Sequence, residues 1–304
     1  MRMEELVQEK LRHAFHDESI IFDKSRFAGG LTNYNYVMTI KGIEYVIRQP
    51  GGMTEQIIDR KIERVNNNIA SELGVNSDCI YFDEDSGIKI SINIKNSQNL
   101  AQTDPGSPEN LDSVSTIMKK IHSYPKGFLN RFDWQAELCK YELIIQQLHG
   151  DLFFDYKTLK NQLVTFVQEN IKNTILVPCH NDTVPENFII DDTGKTYLID
   201  WEYSGMNDPC WDVAAYILES KLSSEAIGHL IQNCFSQPLT PMEELKIKCF
   251  MMAQDILWTA WALIRHYNGD DFLEYCLFRY ERFRKNIKAM TNSPHCSIAS
   301  MVTS

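Results

Sequence analysis

Between Asn33 and Pro50 the chain carries two runs rich in Tyr, Val and Ile, NYNYVMTI and IEYVIRQP, separated by Lys41-Gly42. Apolar β-branched and aromatic runs on either side of a short glycine-containing turn predict a β-hairpin. Ahead of it, MEELVQEK has the charge and spacing of a short helix. From Glu55 to Leu73 the pattern changes, with Ile57, Ile58, Ile62, Val65, Ile69 and Ala70 at helical intervals among polar residues, and Gly74 as a stop. Short strands are expected around Cys79–Phe82 and Gly87–Ile94. Beyond Asn96 a polar connector holding Pro105, Gly106 and Pro108 leads into helical patterns: Leu111–Ser123, Trp134–Leu148, Lys157–Asn170, Trp211–Leu222, Ser224–Phe235, Pro241–Tyr267 and Phe272–Met290. One strand pair interrupts them, Asn187–Asp191 and Thr196–Ile199, turning at Asp192-Thr193-Gly194. The tail after Asn292 reads as loose.

This order predicts an α+β architecture of two lobes. A small β-rich lobe spans residues 1–95, and a larger, mainly α-helical lobe spans residues 96–304. There is no internal repeat and no low-complexity tract.

Composition narrows the functional classes. The chain of 304 residues is 43% hydrophobic and 23% charged, which is ordinary for a globular protein with a substantial core. Its formal net charge of −11 argues against a general nucleic-acid binder, which needs cationic patches to displace counterions. No apolar run approaches the length of about 18 residues that spans a bilayer, and the N-terminus is charged rather than signal-like. No membrane insertion and a cytoplasmic location are therefore expected. The cysteines, Cys79, Cys139, Cys179, Cys210, Cys234, Cys249, Cys276 and Cys296, occur singly, without a C-x-x-C pair or a zinc-type cluster. They suit a reducing compartment.

The densest chemistry lies in CHNDTVPENFIIDDTGKTYLIDWEYSG, residues 179–205. Asp182 precedes Asn187 by five residues, a hairpin follows, and Asp200 ends its second strand. Phosphoryl transfer needs a carboxylate to orient and deprotonate a hydroxyl, and oxygen ligands to hold Mg²⁺ on the nucleotide phosphates. This loop and hairpin supply that set. A turn-rich loop with solvated acids is the structural alternative.

HNDTVPEN and LIDWEYSG resemble the catalytic and metal motifs of the choline/ethanolamine kinase family, and more closely its bacterial LicA-type branch, within the aminoglycoside-phosphotransferase-like kinases of protein-kinase-like two-lobe fold. The resemblance runs from about residue 25 to residue 285. It implies Asp182 as catalytic base, Asn187 and Asp200 as Mg²⁺ ligands, and a mainly structural role for His180. AGGLTNYNYV resembles the family's phosphate-covering hairpin, with Gly29 and Gly30 allowing close backbone approach and Thr32 and Asn33 offering polar contacts. Arg48 in YVIRQP stands where protein kinases carry a phosphate-pairing lysine. Glu63 is its expected ion-pair partner, although Glu55 and Glu72 lie on the same segment. Residues 93–110 do not align with an adenine-holding hinge.

The acceptor falls to the helical lobe. Trp258 and Trp261 sit three apart on one helix face, and Tyr275 lies on the next helix. They resemble the choline-binding end of choline kinases. A quaternary ammonium cannot donate hydrogen bonds and is held by aromatic faces with nearby acids, for which Glu202, Asp208 and Glu219 are candidates. Packing of both tryptophans into an apolar core also fits the spacing. Asp212, in the same loop as Asp208, is expected to brace the catalytic loop. The resulting expectation is an ATP- and Mg²⁺-dependent kinase that phosphorylates choline. Ethanolamine, thiamine or an aminoglycoside remain as acceptors on the same fold, and a non-catalytic, pseudokinase-type binding module remains as another class. The presence of Asp182, Asn187 and Asp200 counts against that last reading, and the lack of an A-P-E-ended activation segment counts against a protein kinase.

Overall fold

Helix α1 (Met3–Phe15) opens on Glu4 and Glu5 and closes on Arg12 and His13, the charge order that complements a helix dipole. It belongs to a computed structural model that describes residues 2–30, 32–172, 174–235, 237–292 and 297–302. Val7 and Leu11 of α1 are fully buried and pack with Met38, Ile40, Tyr45, Ile47, Ile88 and Ile90. Those partners come from a five-stranded antiparallel sheet of β1 (Phe27–Gly29), β2 (Asn33–Ile40), β3 (Ile43–Pro50), β4 (Cys79–Phe82) and β5 (Lys89–Ile92), in the order β1-β2-β3-β5-β4. The β2–β3 turn has φ of 51° at Lys41 and 82° at Gly42, the left-handed pair that a two-residue hairpin needs.

The segment expected as one helix from Glu55 to Leu73 is two, α2 (Thr54–Ile57) and α3 (Arg60–Glu72). The break falls at Ile58 and Asp59, both extended. Asp59 caps α3, accepting from the backbone N–H groups of Lys61 at 3.0 Å and Ile62 at 3.2 Å. An N-cap aspartate satisfies donors that a continuous helix would leave to its neighbours, so local capping overrides the apolar period.

The chain forms two compact units, Met1–Thr103 with Glu186–Ser204, and Asp104–Pro185 with Gly205–Ser304. The first therefore includes the later hairpin, β8 (Phe188–Ile190) and β9 (Thr196–Leu198), which the sequence pattern grouped with the helical lobe after residue 95. Backbone pairing explains the difference. β8 pairs with β6 (Gln98–Asn99), and the Leu198 N–H donates to the Val75 carbonyl at 2.7 Å.

The second unit is helical: α4 (Pro108–His122), α5 (Trp134–Gln147), α6 (Tyr156–Asn170), α7 (Pro209–Glu219), α8 (Ser224–Cys234), α9 (Pro241–Tyr267), α10 (Leu273–Asn292) and α11 (Ile298–Val302). It also holds a short antiparallel pair, β7 (Val177–Cys179) with β10 (Gly205–Asn207). Thr240 and Glu243 form a capping box at the start of α9, with Pro241 in the first turn. Every residue of α9 from Lys246 to Arg265 is buried, against α5, α7 and α10 among others. By length and composition α9 could cross a membrane, which the sequence reading did not register, but its apolar window is wholly buried, as in a core helix. The tail expected to be loose is helical at α11, where Asn286 donates to the Met301 carbonyl at 2.9 Å. Cys296 lies outside the described residues, and the other seven cysteines are free thiols.

Candidate active site

In the first unit, Gly30 sits at φ +129°, and a Cβ there would lie 1.8 Å from the Asn33 carbonyl oxygen, so only glycine fits this turn. Gly29, at φ +95°, accepts through its carbonyl from Asn35 at 3.2 Å. Thr32 is partly buried. Asn33 is buried and donates its amide to Glu202 Oε2 at 3.0 Å.

Arg48, on β3, is buried rather than turned to solvent. Its guanidinium grips both oxygens of Glu63, with Nη2 to Oε2 at 3.0 Å, and donates from Nη2 to the Gly87 carbonyl at 3.0 Å. Asp200 Oδ1 lies 3.7 Å from Nη1. Of Glu55, Glu63 and Glu72, the geometry brings Glu63 to Arg48. Arg60, one turn earlier on α3, bridges Glu63 at 2.7 Å and Glu202 at 3.0 Å. Gly87 permits this crowding, because a Cβ on it would meet Arg60 Nε at 2.7 Å.

Burial alone would push Glu63 up, but Arg48, Lys89 and Arg60 outweigh it and hold the carboxyl down at about 2. Such a group stabilises the fold fully above its ordinary value of 4.5, and the contribution is lost as pH falls through about 2. Glu63→Gln leaves Arg48 buried beside a neutral amide and should cost about 3–5 kcal/mol at neutral pH. Urea unfolding should show the two proteins converging in stability as pH is lowered from 5 toward 2; an equal gap throughout would contradict the ion pair.

Asn187 and Asp200 flank the β8–β9 hairpin. Phe188 pairs with Leu198, and the Ile199 N–H donates to the Asn187 carbonyl at 2.9 Å, which sets Asp200 one residue beyond that bond. Asp200 has φ +68°, a left-handed conformation that costs a non-glycine residue of order 1–3 kcal/mol and recurs at functional sites. Its Oδ1 is buried with no hydrogen-bond partner among the described residues. Glu202 is in this unit too, paired with Arg60 and Asn33. Burial and then the Asp200 charge push it up to about 7, against Arg60.

In the second unit the loop after β7 is tied down through its backbone. Asp212, in the first turn of α7, accepts the N–H of His180 at 3.0 Å and that of Asn181 at 2.8 Å. Thr183 Oγ1 donates to the Asp212 carbonyl at 2.6 Å, and Trp211 Nε1 to the Asn181 carbonyl at 3.1 Å. His180 is buried, and its Nδ1 accepts the Asp182 N–H at 3.3 Å. Asp182 is partly buried. Asp212 thus braces the loop, whereas Asp208 is no candidate for a ligand cation: it is buried, caps α7 through the Cys210 N–H at 3.1 Å, and is paired with Lys246 at 2.7 Å.

Trp258 and Trp261 are buried on α9, with ring centroids 6.5 Å apart at 87°. Trp261 meets Tyr275 edge to face at 6.4 Å and Phe272 at 5.0 Å. Burial pushes the Tyr275 phenol up, and the charges of Glu219 and Asp182 add to that shift against Arg279, so the loop carboxylate is felt at the aromatic group. The Arg279 guanidinium lies 4.9 Å from the Tyr275 ring centroid and 2.7 Å from Glu219. Asp255, fully buried, receives Arg282 at 2.6 Å and Arg279 at 3.3 Å. Glu219 Oε1 has no hydrogen-bond partner among the described residues. Sequence reasoning missed Arg60, Asp255, Arg279 and Arg282. Their signal was a charged residue inside an otherwise apolar helix, Asp255, and two arginines three apart on the helix packed against it.

Residues 25–232 match the family model described as choline/ethanolamine kinase. The protein LicA of Haemophilus influenzae is 31% identical over 280 residues, covering 90% of this chain and 81% of that relative. The crystal structure of choline kinase LicA from Streptococcus pneumoniae superposes with a TM-score of 0.80 at 28% identity, covering 94% of this chain and 99% of the other. A structure of LicA in complex with AMP gives a TM-score of 0.82 at 29% identity, covering 95% and 99%. Fold and site together define a small-molecule alcohol kinase of protein-kinase-like fold. The chain belongs to the choline/ethanolamine kinase family.

Proposed function

We propose that the protein transfers the γ-phosphoryl group of ATP to the hydroxyl of choline, giving phosphocholine and ADP. The observation that carries this reading is the aromatic group of Trp258, Trp261 and Tyr275 in the same unit as Asp182, whose charge reaches Tyr275. A trimethylammonium group offers no donor, so it gains from aromatic faces, about 0.5–2 kcal/mol from each. Glu219, one of whose oxygens has no hydrogen-bond partner among the described residues, supplies a negative charge nearby. In the transfer, Asp182 accepts the choline hydroxyl proton, the choline oxygen bonds to the γ-phosphorus, and the bond to the ADP oxygen breaks.

The first unit takes the nucleotide. Gly30, Thr32 and Asn33 form the turn that would cover the phosphates, and Arg48, held by Glu63, provides a fixed positive charge for them. The donor set suits Mg²⁺, a hard cation with oxygen ligands, because Asp200 Oδ1 is buried without a hydrogen-bond partner among the described residues and Asn187 adds an amide oxygen. Bound there, Mg²⁺ would neutralise charge on the phosphates. Free thiols at all seven described cysteines support placing the reaction in the reducing cytosol.

Arg48→Lys keeps the charge and loses the planar fork, so partial activity with a raised KM for ATP is expected. Unchanged steady-state kinetics would show that the fork is not used.

The acceptor is tested at the tryptophans. Trp258→Ala or Trp261→Ala should raise the KM for choline several-fold or more, with a smaller change for ATP. A buried Trp→Ala change also costs about 3–5 kcal/mol, so folding is checked first, and Trp→Phe serves as the milder control. Folded Ala variants with wild-type kcat/KM for choline would make the tryptophans core residues and remove choline's main support, leaving the kinase assignment intact.

A further inference from the structure

We propose that Arg60 is a positioning residue for the nucleotide: through Glu202 it latches Asn33, and so holds the turn that carries Gly30 closed before ATP arrives. This rests on the reading of that turn as the cover of the phosphates. Glu202 Oε2 accepts the Asn33 amide at 3.0 Å and Arg60 Nη1 at 3.0 Å, and the same Nη1 donates to Glu63 Oε2 at 2.7 Å. All four side chains are buried. Asn33 Oδ1 and Arg60 Nη2 have no hydrogen-bond partner among the described residues, so within that set the two side chains are joined through this one carboxylate oxygen. Hydrogen bonds to an ionised group are about twice as strong as neutral ones, which lets a single joint hold the turn.

The turn needs an external tie. Gly29 and Gly30 both have positive φ, and glycine gives up more conformational freedom on ordering than any other residue. Asn35 donates to the Gly29 carbonyl at 3.2 Å, a bond internal to the β1–β2 pair, whereas Asn33 reaches a segment 169 positions later. The far end of the latch is fixed. Asn66 of α3 donates to the Ser204 hydroxyl at 3.1 Å and to its carbonyl at 3.2 Å, and Gly87 lies so close to Arg60 that a Cβ there would meet Nε at 2.7 Å. Support of Arg48 through Glu63 requires only one of the two Arg60 ion pairs; the pair with Glu202 is additional and leads to the turn. Because Glu202 follows Asp200 by two positions, the latch also sets the turn in register with the carboxylate proposed for Mg²⁺. A turn closed in only about a tenth of molecules would bind its ligand about tenfold more weakly, and the latch removes that loss.

The experiment compares Arg60→Met, Glu202→Leu, Asn33→Leu and the double variant Arg60→Met/Asn33→Leu. Folding is checked by thermal unfolding, kinetics by ADP release, and backbone exchange over residues 27–36 of the nucleotide-free protein by hydrogen–deuterium mass spectrometry. Arg60→Met should speed exchange in that segment and raise the KM for ATP about tenfold, with kcat and the KM for choline changed less than about threefold, since saturating ATP closes the turn again. Two changes that break the same link do not add, so the double variant should stay within about twofold of the more affected single variant in its KM for ATP. A folded Arg60→Met with wild-type exchange over residues 27–36 overturns the proposal. So does multiplication of the two KM effects, which is the result expected if Arg60 acts through Glu63 on Arg48 instead. Should Arg60→Met not fold, Glu202→Leu breaks the latch from its other side, and wild-type exchange in that variant decides against it. Faster exchange with an unchanged KM for ATP in Asn33→Leu would instead overturn the reading of the turn as the phosphate cover, separating that failure from this one.

Discussion

Asp182→Asn should fold and bind nucleotide as the wild type does while kcat falls by about 10²–10⁴-fold, the range for loss of a general base. The backbone of the loop is held by Asp212, Trp211 and the His180 ring, none of which needs the Asp182 carboxylate. An isosteric amide therefore leaves the loop in place and removes the carboxylate proposed as proton acceptor. Thermal unfolding and nucleotide titration should match wild type, and steady-state ADP release should carry the whole effect. Wild-type turnover in the folded variant would remove Asp182 from the chemistry.

Asp200→Ala should abolish Mg²⁺-dependent nucleotide binding and turnover. The carboxylate is placed by the β8–β9 hairpin, carries one buried oxygen with no hydrogen-bond partner among the described residues, and faces Arg48 at 3.7 Å. Removing it would delete the proposed charged ligand from a site that would then rely on the Asn187 amide, and divalent ions of this kind depend on carboxylate oxygens. Relief of the left-handed backbone is no compensation, since alanine at φ +68° is strained as well. Isothermal titration of the nucleotide with and without Mg²⁺ reads the effect directly. A Mg²⁺ dependence equal to that of wild type would contradict the assignment.

Much of this was legible in the sequence where the signal is local. The glycine pair ahead of Asn33, the turn at Lys41-Gly42, and the spacing of Asp182, Asn187 and Asp200 each reflect a short-range requirement: a positive φ, a two-residue turn, or a loop joined to a hairpin. The break at Asp59 was not legible, because a cap and an apolar stripe compete and the tertiary structure chooses. Nor was the placement of Glu202: nothing in the local sequence says that it will be paired by Arg60, 142 positions earlier in the chain. Asp255 was not singled out in the sequence at all, and its partners Arg279 and Arg282 lie on the next helix. Charged residues buried in pairs are visible from one strand of sequence only as anomalies, and their partners come from the fold.

The acceptor is the claim on which the functional reading turns, and a competition assay tests it most directly. With ATP, Mg²⁺ and equal concentrations of choline and ethanolamine in one reaction, ³¹P NMR of the products gives the ratio of the two kcat/KM values without separate calibrations. Since a trimethylammonium draws on the aromatic faces and a primary ammonium prefers hydrogen-bond acceptors, phosphocholine should exceed phosphoethanolamine by about tenfold or more, the ratio that about 1.4 kcal/mol confers. An excess of phosphoethanolamine, or ATP hydrolysis with neither phosphate ester formed, would contradict choline as the substrate.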